Sequence, residues 1–556
     1  MIKICIAQIN FIVGDIKNNV EKIIQATKIA QHNNADLILF SELSISGYIP
    51  KDLIERDDFM DEIETQINYI LPHSKNIAIV VGTPWRNYTN GQKPCFNAAL
   101  FIYQQEIKHI IHKSLLPTYD IFDEARYFEP GHNQQIIEFK NHKIAVTICE
   151  DIWNITEQKI YDSEPLQQFK FTPIDLILNL SASPFNYNKE QERLSIIKQN
   201  ALTYQTPIVY NNCVGANTAI IFDGQSCMFD KNGNIVKMLP AFKEEINYIE
   251  IEKNCETNFQ TTPENMVINT NFEFNPQQNI EHIYDALILG IKDYFNKLGF
   301  KKAILGSSGG IDSAVTACLA SQALGSENLF TIALPSSFSS LASVDDAHQL
   351  HNNLQNSHEI IEINKIFEVF LNQLQPLFKN LAFGLAEENL QSRIRGNLIM
   401  TIANKFNYVL LNTSNKSELA TGYGTLYGDM AGGLSVLGDL YKQQVYALAA
   451  YINTKFENLI PQNIISKAPS AELRLNQKDA DSLPEYDILD FILYYFIDKN
   501  FSKNKIISLG YNAKIVEEII VLVKKQEFKR QQFCPILRIS GKSFGEGRRY
   551  PIVCKW

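Results

Sequence analysis

The stretch Lys301–Leu334 constrains the fold of this chain more than any other. The apolar run Lys301–Leu305 meets Gly306-Ser-Ser-Gly-Gly-Ile-Asp-Ser313, and helical spacing follows over Ser313–Leu324. Glycines let the backbone curl from strand to helix within a few residues, and such a turn opens the strand–helix units from which parallel sheets are built. The alternation continues through strand-like Leu329–Leu334, helix-like Asp345–Leu354 and strand-like Tyr408–Asn412, with a helix over Ile280–Leu298 before it. This pattern predicts an α/β domain with a doubly wound parallel sheet, largely helical past Tyr486.

The N-terminal half has another rhythm. Lys3–Ile9, Asp36–Phe40, Ile77–Gly82, Ala98–Tyr103, Lys143–Ile148, Leu176–Asn179 and Ile208–Asn211 are short apolar runs rich in β-branched residues, as strands buried in a layered sheet are. Asn19–His32 is spaced as a helix with Val20, Ile23, Ile24, Thr27 and Ala30 on one side. Asp223-Gly224 and Lys231-Asn232-Gly233 predict hairpin turns among Ile220–Asp223, Ser226–Phe229, Asn234–Lys237 and Asn247–Ile251. A polar, turn-rich passage separates the halves, so the expected organisation is a domain over 1–255, a linker over 256–279 and a second domain over 280–556.

Composition narrows the partners. With 51 Lys and Arg against 61 Asp and Glu, the 556-residue chain has a net charge of −10. It has no overall field for nucleic acid or an anionic membrane, and neither is expected as a partner. The nine cysteines show no CxxC spacing and the ten histidines are scattered, which argues against a structural zinc cluster and suits a reducing compartment. Met1–Ile9 reads as a strand rather than a signal peptide, and no uncharged apolar run is long enough to cross a bilayer. The expected location is the cytoplasm.

Three reactive residues of the first half each follow an apolar strand: Glu42, Lys113 and Cys149. Strand ends in α/β frameworks join rigid positioning to an open crevice. A thiol needs a base to become a nucleophile, and an ammonium stabilises a developing oxyanion. Singly, the three are better explained as a cap, a solvated lysine and a core cysteine. The words around them, Glu42-Leu-Ser-Ile-Ser-Gly-Tyr, Lys113-Ser-Leu-Leu-Pro-Thr-Tyr-Asp-Ile-Phe-Asp-Glu-Ala-Arg-Tyr-Phe and Cys149-Glu-Asp-Ile-Trp, resemble the nitrilase superfamily in order and spacing. That resemblance implies an α-β-β-α sandwich with Cys149 as nucleophile, Glu42 as general base and Lys113 at the tetrahedral intermediate. In the glutaminase branch, Tyr119, Ser183 and Lys189 align with glutamine-contacting positions. Ser183, before Pro184, also suits a plain turn.

The glycine loop of the second half presents backbone N–H groups, with Ser307, Ser308 and Ser313 as hydroxyl donors. It lacks the Gly-Lys-Ser/Thr of a Walker A loop and the spacing of a dinucleotide fingerprint. Ser308-Gly-Gly-Ile-Asp-Ser313 resembles the PP-loop of ATP pyrophosphatases, which cleave ATP between the α- and β-phosphates. The resemblance implies ATP binding by Gly306, Ser307, Ser308, Gly309, Gly310, Ile311, Asp312 and Ser313, with Asp312 a ligand of Mg²⁺, a cation that takes one or two carboxylates beside phosphate oxygens. Glu388-Asn-Leu-Gln-Ser-Arg-Ile-Arg-Gly, Asn412 to Gly433 and Pro469-Ser-Ala-Glu-Leu-Arg are similar to the NAD synthetase family. By that similarity Thr413 contacts ATP, with Lys442 and Ser470 further candidates. Glu418 is a second Mg²⁺ ligand or a substrate contact, and Asn389, Tyr423, Gly424, Thr425, Leu426 and Lys529 contact deamido-NAD⁺. Position 307 is Ser where relatives often carry a Leu-type residue.

Joined, the halves resemble the glutamine-dependent NAD⁺ synthetase family along nearly the whole chain. The resemblance implies ATP-dependent amidation of deamido-NAD⁺ with glutamine as nitrogen source, Mg²⁺ as cofactor and a homo-oligomer. Another PP-loop amidotransferase, such as GMP or asparagine synthetase, and a stand-alone amidase with a nucleotide-sensing module are the alternatives.

Overall fold

The computed structural model describes residues 1–252 and 273–555, apart from 89–90, 92, 133–134, 156–159, 380, 471, 475–476, 478 and 482. Most of the expected linker, up to residue 272, lies outside the described residues. The chain divides into two compact units, residues 1–271 and 272–556.

The first unit is built from β1 (Ile2–Gln8), β2 (Leu37–Leu39), β3 (Ala78–Arg86), β4 (Cys95–Tyr103), β5 (Glu106–His112), β6 (Ile136–Phe139), β7 (His142–Ile148), β8 (Leu176–Ser181), β9 (Ile208–Asn212), β10 (Val214–Asn217), β11 (Ile220–Asp223), β12 (Cys227–Phe229), β13 (Ile235–Met238) and β14 (Glu245–Ile251). Two six-stranded sheets result, ordered β14-β1-β2-β3-β4-β5 and β13-β12-β9-β8-β7-β6. Each has a parallel trio at its centre, β1-β2-β3 in one and β9-β8-β7 in the other, and antiparallel strands on both flanks. Parallel neighbours need crossovers. The helices Ile16–His32 and Asp57–Ile70 supply two of them, and Glu190–Tyr204 links β8 to β9.

Strand alternation sorts the side chains into layers. Ile2, Ile4, Ile6, Leu37, Leu39 and Val80 meet Ile144, Val146, Ile148, Leu176 and Leu178 in the core between the sheets. Cys5, Ala7, Ile38, Phe40, Ile79 and Val81 turn outward onto the first two helices, where Val20, Ile23, Ile63 and Ile67 cover them. Ile177, Ile208, Tyr210 and Phe229 pack against Leu194, Ile197 and Ala201 of the third. The unit is an α-β-β-α sandwich.

One expected turn is not a hairpin. Asp223-Gly224 does not fold β11 onto the next strand, because β11 pairs with β10 while β12 pairs with β9 and β13. The Gln8 side chain holds the crossing: its Oε1 accepts the Ser226 N–H at 2.9 Å, and a methyl group on Gly224 would approach its Cδ to 2.4 Å. β14 returns to β1 rather than to β13. The turn at 231–233 does join β12 to β13, with Asp230 Oδ1 accepting the N–H groups of Asn232 and Asn234.

The second unit carries β15 (Ala303–Gly306), β16 (Leu329–Ala333), β17 (Ser357–Ile360), β18 (Val409–Asn412) and β19 (Leu434–Ser435), all parallel, in the order β17-β16-β15-β18-β19. On one face Phe367 of Asn364–Phe378, with Ile394, Ile399 and Ala403 of Leu385–Phe406, packs onto Ile304, Ile332 and Leu410. The helices Ile311–Leu324, Ile280–Leu298 and Lys442–Lys455 pack together, the first of them against β15 and β16. Further along, Tyr486–Ile497 and Ala513–Lys525 enclose a core of Leu489, Ile492, Leu493, Val516, Ile519 and Val523. This is the doubly wound sheet that the sequence pattern predicts. Among the described residues no helix is long and apolar enough to cross a membrane.

Candidate active sites

In the first unit, Glu42 follows β2, Lys113 follows β5 and Cys149 follows β7. All three are buried, with Lys113 at 0 % exposure and Glu42 at 1 %. Lys113 Nζ donates to Glu42 Oε1 at 2.7 Å and to Glu124 Oε1 at 2.8 Å. An ammonium in such a place is sustained only by paired charge, because burial alone costs several kcal/mol per ion. Burial pulls the Lys113 ammonium down, but Glu124 and Glu42 outweigh it and hold the group well above its usual range.

The carboxylates are fixed in turn. Glu42 Oε1 accepts from Asn97 Nδ2 at 2.7 Å and Oε2 from the Ala182 N–H at 3.0 Å, while Glu124 Oε1 accepts from Tyr48 OH at 2.7 Å. Gly82 makes room for the Glu42 turn, since a methyl group there would lie 2.4 Å from Leu43 N. Cys149 adopts φ 42° at the head of a short helical turn. Burial pushes its thiol well above the usual range, Glu42 pushes it further and Lys113 opposes both. Asp151 ties the nucleophile turn to the exit of β5: Oδ1 accepts the Ser114 and Leu115 N–H groups at 2.9 Å each, and Oδ2 the Ile148 N–H at 3.0 Å.

Of the expected glutamine-contacting residues, Tyr119 and Lys189 gather around Glu150, the neighbour of Cys149. Tyr119 OH donates to both Glu150 oxygens at 2.9 and 3.0 Å, and Tyr161 OH adds a bond at 3.1 Å. Lys189 Nζ sits 4.5 Å from the centre of the Trp153 ring and its charge favours the Glu150 carboxylate. Ser183 is buried and pairs with Asn212 through its backbone, its N–H donating to Oδ1 at 2.8 Å.

In the second unit a cavity of about 300 Å³ opens at the ends of β15, β16 and β18. Gly306, Ser307, Ser308, Gly310, Ile311, Asp312 and Ser313 line it, together with Thr413, Glu418, Tyr423, Lys442 and Ser470. Gly309 instead turns toward Ser343, with φ 73° and room for no methyl group. Ser308 is exposed, whereas Ser313 Oγ donates back to Gly310 O at 2.9 Å and accepts the Ser308 N–H at 3.3 Å. Ser313 therefore shapes the loop rather than offering its proton to a ligand.

Asp312 Oδ1 accepts from Asn415 Nδ2 at 2.9 Å, and Asp312 Oδ2 from Lys442 Nζ at 2.5 Å. Glu418 Oε1 is 3.8 Å from the same ammonium. Burial, then Asp312, raise the Glu418 carboxyl to about 8 against the pull of Lys442. Asp479 stands nearby and is also raised, chiefly by burial. Among the described residues, Asp312, Glu418 and Asp479 thus outnumber the ammonium of Lys442 that faces them.

Of the expected dinucleotide contacts, Glu418 and Tyr423 reach the cavity wall, and the others form a knot beside it. Thr425 Oγ1 donates to Asn389 Oδ1 at 2.7 Å, and Lys529 Nζ donates to the Gly422 and Gly424 carbonyls at 2.8 and 2.7 Å. Leu426 O accepts from Arg393 Nε at 3.2 Å. Lys529 is therefore a clamp on the Tyr423–Leu426 segment. Glu124, Glu150, Asn415, Asp479 and Arg395 belong to the two sites and are absent from the sequence expectations. All but Asp479 lie inside the words that carry the resemblance, and of these Glu124 and Arg395 do not stand at a strand end.

Known proteins agree with this division. The carbon–nitrogen hydrolase family model matches residues 3–257 and the NAD synthase model residues 283–533. The glutamine-dependent NAD(+) synthetase of Synechocystis is 43 % identical, over 100 % of this chain and 99 % of its own. The chain belongs to the glutamine-dependent NAD(+) synthetase family. The Acinetobacter baylyi member is 38 % identical, over 100 % of this chain and 98 % of its own. Among solved structures, the Acinetobacter baumannii glutamine-dependent NAD⁺ synthetase in complex with adenosine diphosphate is 35 % identical, covers 99 % of this chain and 98 % of its own, and superposes with a TM-score of 0.75.

Proposed function

We propose that this chain makes NAD⁺ from deamido-NAD⁺, ATP and glutamine, with glutamine hydrolysed in the first unit and ATP spent as AMP and pyrophosphate in the second. The observation that carries the reading is a pairing within one chain. A buried thiol stands beside an ammonium clamped by Glu42 and Glu124, and a separate glycine loop faces a carboxylate-rich cavity. The full-length similarity to named relatives supports it.

In the first unit Glu42 takes the Cys149 proton as the sulfur attacks the side-chain amide carbon of glutamine. Lys113 balances the oxyanion, ammonia departs, and water releases glutamate from the thioester. Glu150, with Tyr119, Ser183 and Lys189, forms the glutamine-binding wall. In the second unit the glycine loop and Thr413 hold ATP, and Asn389, Tyr423–Leu426 and Lys529 form the dinucleotide side. The nicotinate carboxylate attacks the α-phosphate and expels pyrophosphate, and ammonia then displaces AMP from the adenylate. Adenylation is required because a carboxylate oxygen is a poor leaving group for ammonia.

Asp312 and Glu418 fit Mg²⁺ by donor chemistry, as two carboxylates on the wall of a phosphate-facing cavity with negative charge in excess of Lys442. When bound, the cation would neutralise phosphate charge. Replacement of Cys149 by Ala should lower the glutamine-driven rate at least about a thousandfold and leave ammonium-driven synthesis within about twofold. Equal loss with both nitrogen sources would refute the two-site reading.

A further inference from the structure

Ser307 belongs to the phosphate loop, yet both of its polar hydrogens point into the protein. Its N–H donates to Ile332 O at 2.8 Å. Its Oγ lies 2.9 Å from Nε2 of His351, a ring only 2 % exposed on the helix Leu341–Leu354. The far side of the ring fixes the direction of the hydroxyl proton. Asn356 Nδ2 donates to Thr331 Oγ1 at 3.1 Å and to Ser357 O at 2.9 Å, which makes its Oδ1 the atom facing His351 Nδ1 at 3.0 Å. An amide oxygen only accepts, and Thr331 Oγ1, 3.1 Å from the same nitrogen, is a hydroxyl able to accept as well, so Nδ1 carries the imidazole proton and Nε2 presents a lone pair. The Ser307 hydroxyl therefore donates to His351.

The imidazole is held in this neutral form. Burial foremost, then the His358 ring stacked at 4.2 Å, push its protonation down to about 4. The same helix meets the loop a second time, where Ser343 O closes on Gly309 and would lie 2.2 Å from an added methyl group.

We propose that His351 is a positioning residue for the nucleotide: it sets the phosphate loop through the Ser307 hydroxyl, and Ser307 gives no side-chain proton to a phosphate. The inference rests on the ATP reading above and assigns the loop an anchor outside its own motif.

The test uses the full chain, ammonium as nitrogen donor, and varied ATP. His351→Phe keeps the ring and removes the acceptor. It should raise the ATP KM about tenfold, the value of one lost buried hydrogen bond, and leave kcat and the deamido-NAD⁺ KM within about twofold. His351→Gln, which restores an acceptor, should recover most of the loss. Ser307→Ala should match His351→Phe, and the double variant should be no worse than either, because the two changes remove one interaction. Additive losses, a Ser307→Ala effect larger than that of His351→Phe, or equal rises in both KM values would overturn the proposal. A wild-type chain that binds ATP but makes no NAD⁺ would overturn the functional reading instead. Direct ATP titration of the same variants would then decide on His351.

Discussion

Arg395 is a half-buried guanidinium without a counter-ion among the described residues. Its Nε donates to Leu334 O at 2.8 Å, at the exit of β16, and the residue lines the cavity. Among the described residues no carboxylate comes within ion-pairing distance, and Asp429 and Glu472 only weakly offset the burial that lowers it to about 10. Both acids are engaged elsewhere, Asp429 by the Thr425 N–H and Glu472 by Lys467. A half-buried cation of this kind, on a cavity wall, is placed to take its partner from an anionic ligand. Arg395→Met keeps the length and removes the charge. It should raise the ATP KM roughly 10- to 100-fold and weaken ATP binding much more than adenosine binding. Equal weakening of both by titration calorimetry would mean that the residue meets the base or sugar and not a phosphate.

At the scale of elements, the glutaminase site depends on registering two chain segments that are distant in sequence. Asp151 does this with three backbone N–H groups, two at the exit of β5 and one at the end of β7. Asp151→Asn presents an N–H₂ group where the Ile148 N–H needs an acceptor. The change should cost about 2 kcal/mol of stability and lower the glutamine-driven rate about tenfold or more through misplacement of Lys113 and Cys149, with the ammonium-driven rate unchanged. A variant with a normal melting temperature and normal glutaminase rate would show the tie to be dispensable. This dependence also explains what is legible in the sequence. Strand exits are, since β-branched runs mark their own ends, and Glu42, Lys113 and Cys149 stand there. Glu124 is not, because it sits on a four-residue helix, Glu124–Tyr127, and reaches Lys113 only by tertiary folding. The helix Asp57–Ile70 leaves a readable stripe of Met60, Ile63, Ile67 and Ile70 that the strand-dominated reading passes over. β17, with the sequence Ser-His-Glu-Ile, carries too little apolar pattern to be seen. Gly224 shows the opposite error, a turn signature whose geometry serves Gln8 and not a hairpin.

At the scale of the whole molecule, each unit has its own buried core and its own chemistry. A ligand that binds only the native form stabilises what it binds, by about 2.7 kcal/mol at one hundred times its Kd. ATP should therefore raise the melting temperature of the second unit by roughly 5 °C and leave that of the first in place. Differential scanning calorimetry with and without ATP, assigned by fluorescence of Trp85 and Trp153 in the first unit, would check this. An equal shift of both transitions, or of neither, would contradict it.

The state of Cys149 has one more consequence. Peroxides and alkylating agents attack thiolates, and burial keeps this sulfur protonated at rest. In the proposed mechanism the sulfur is thus a latent nucleophile, expected to react slowly with the small electrophiles of an oxidised cell. In that mechanism it is armed only when a fitting amide brings its carbon to the sulfur as the proton leaves for Glu42. Chemical selectivity against poisoning is in this way a by-product of where β7 ends.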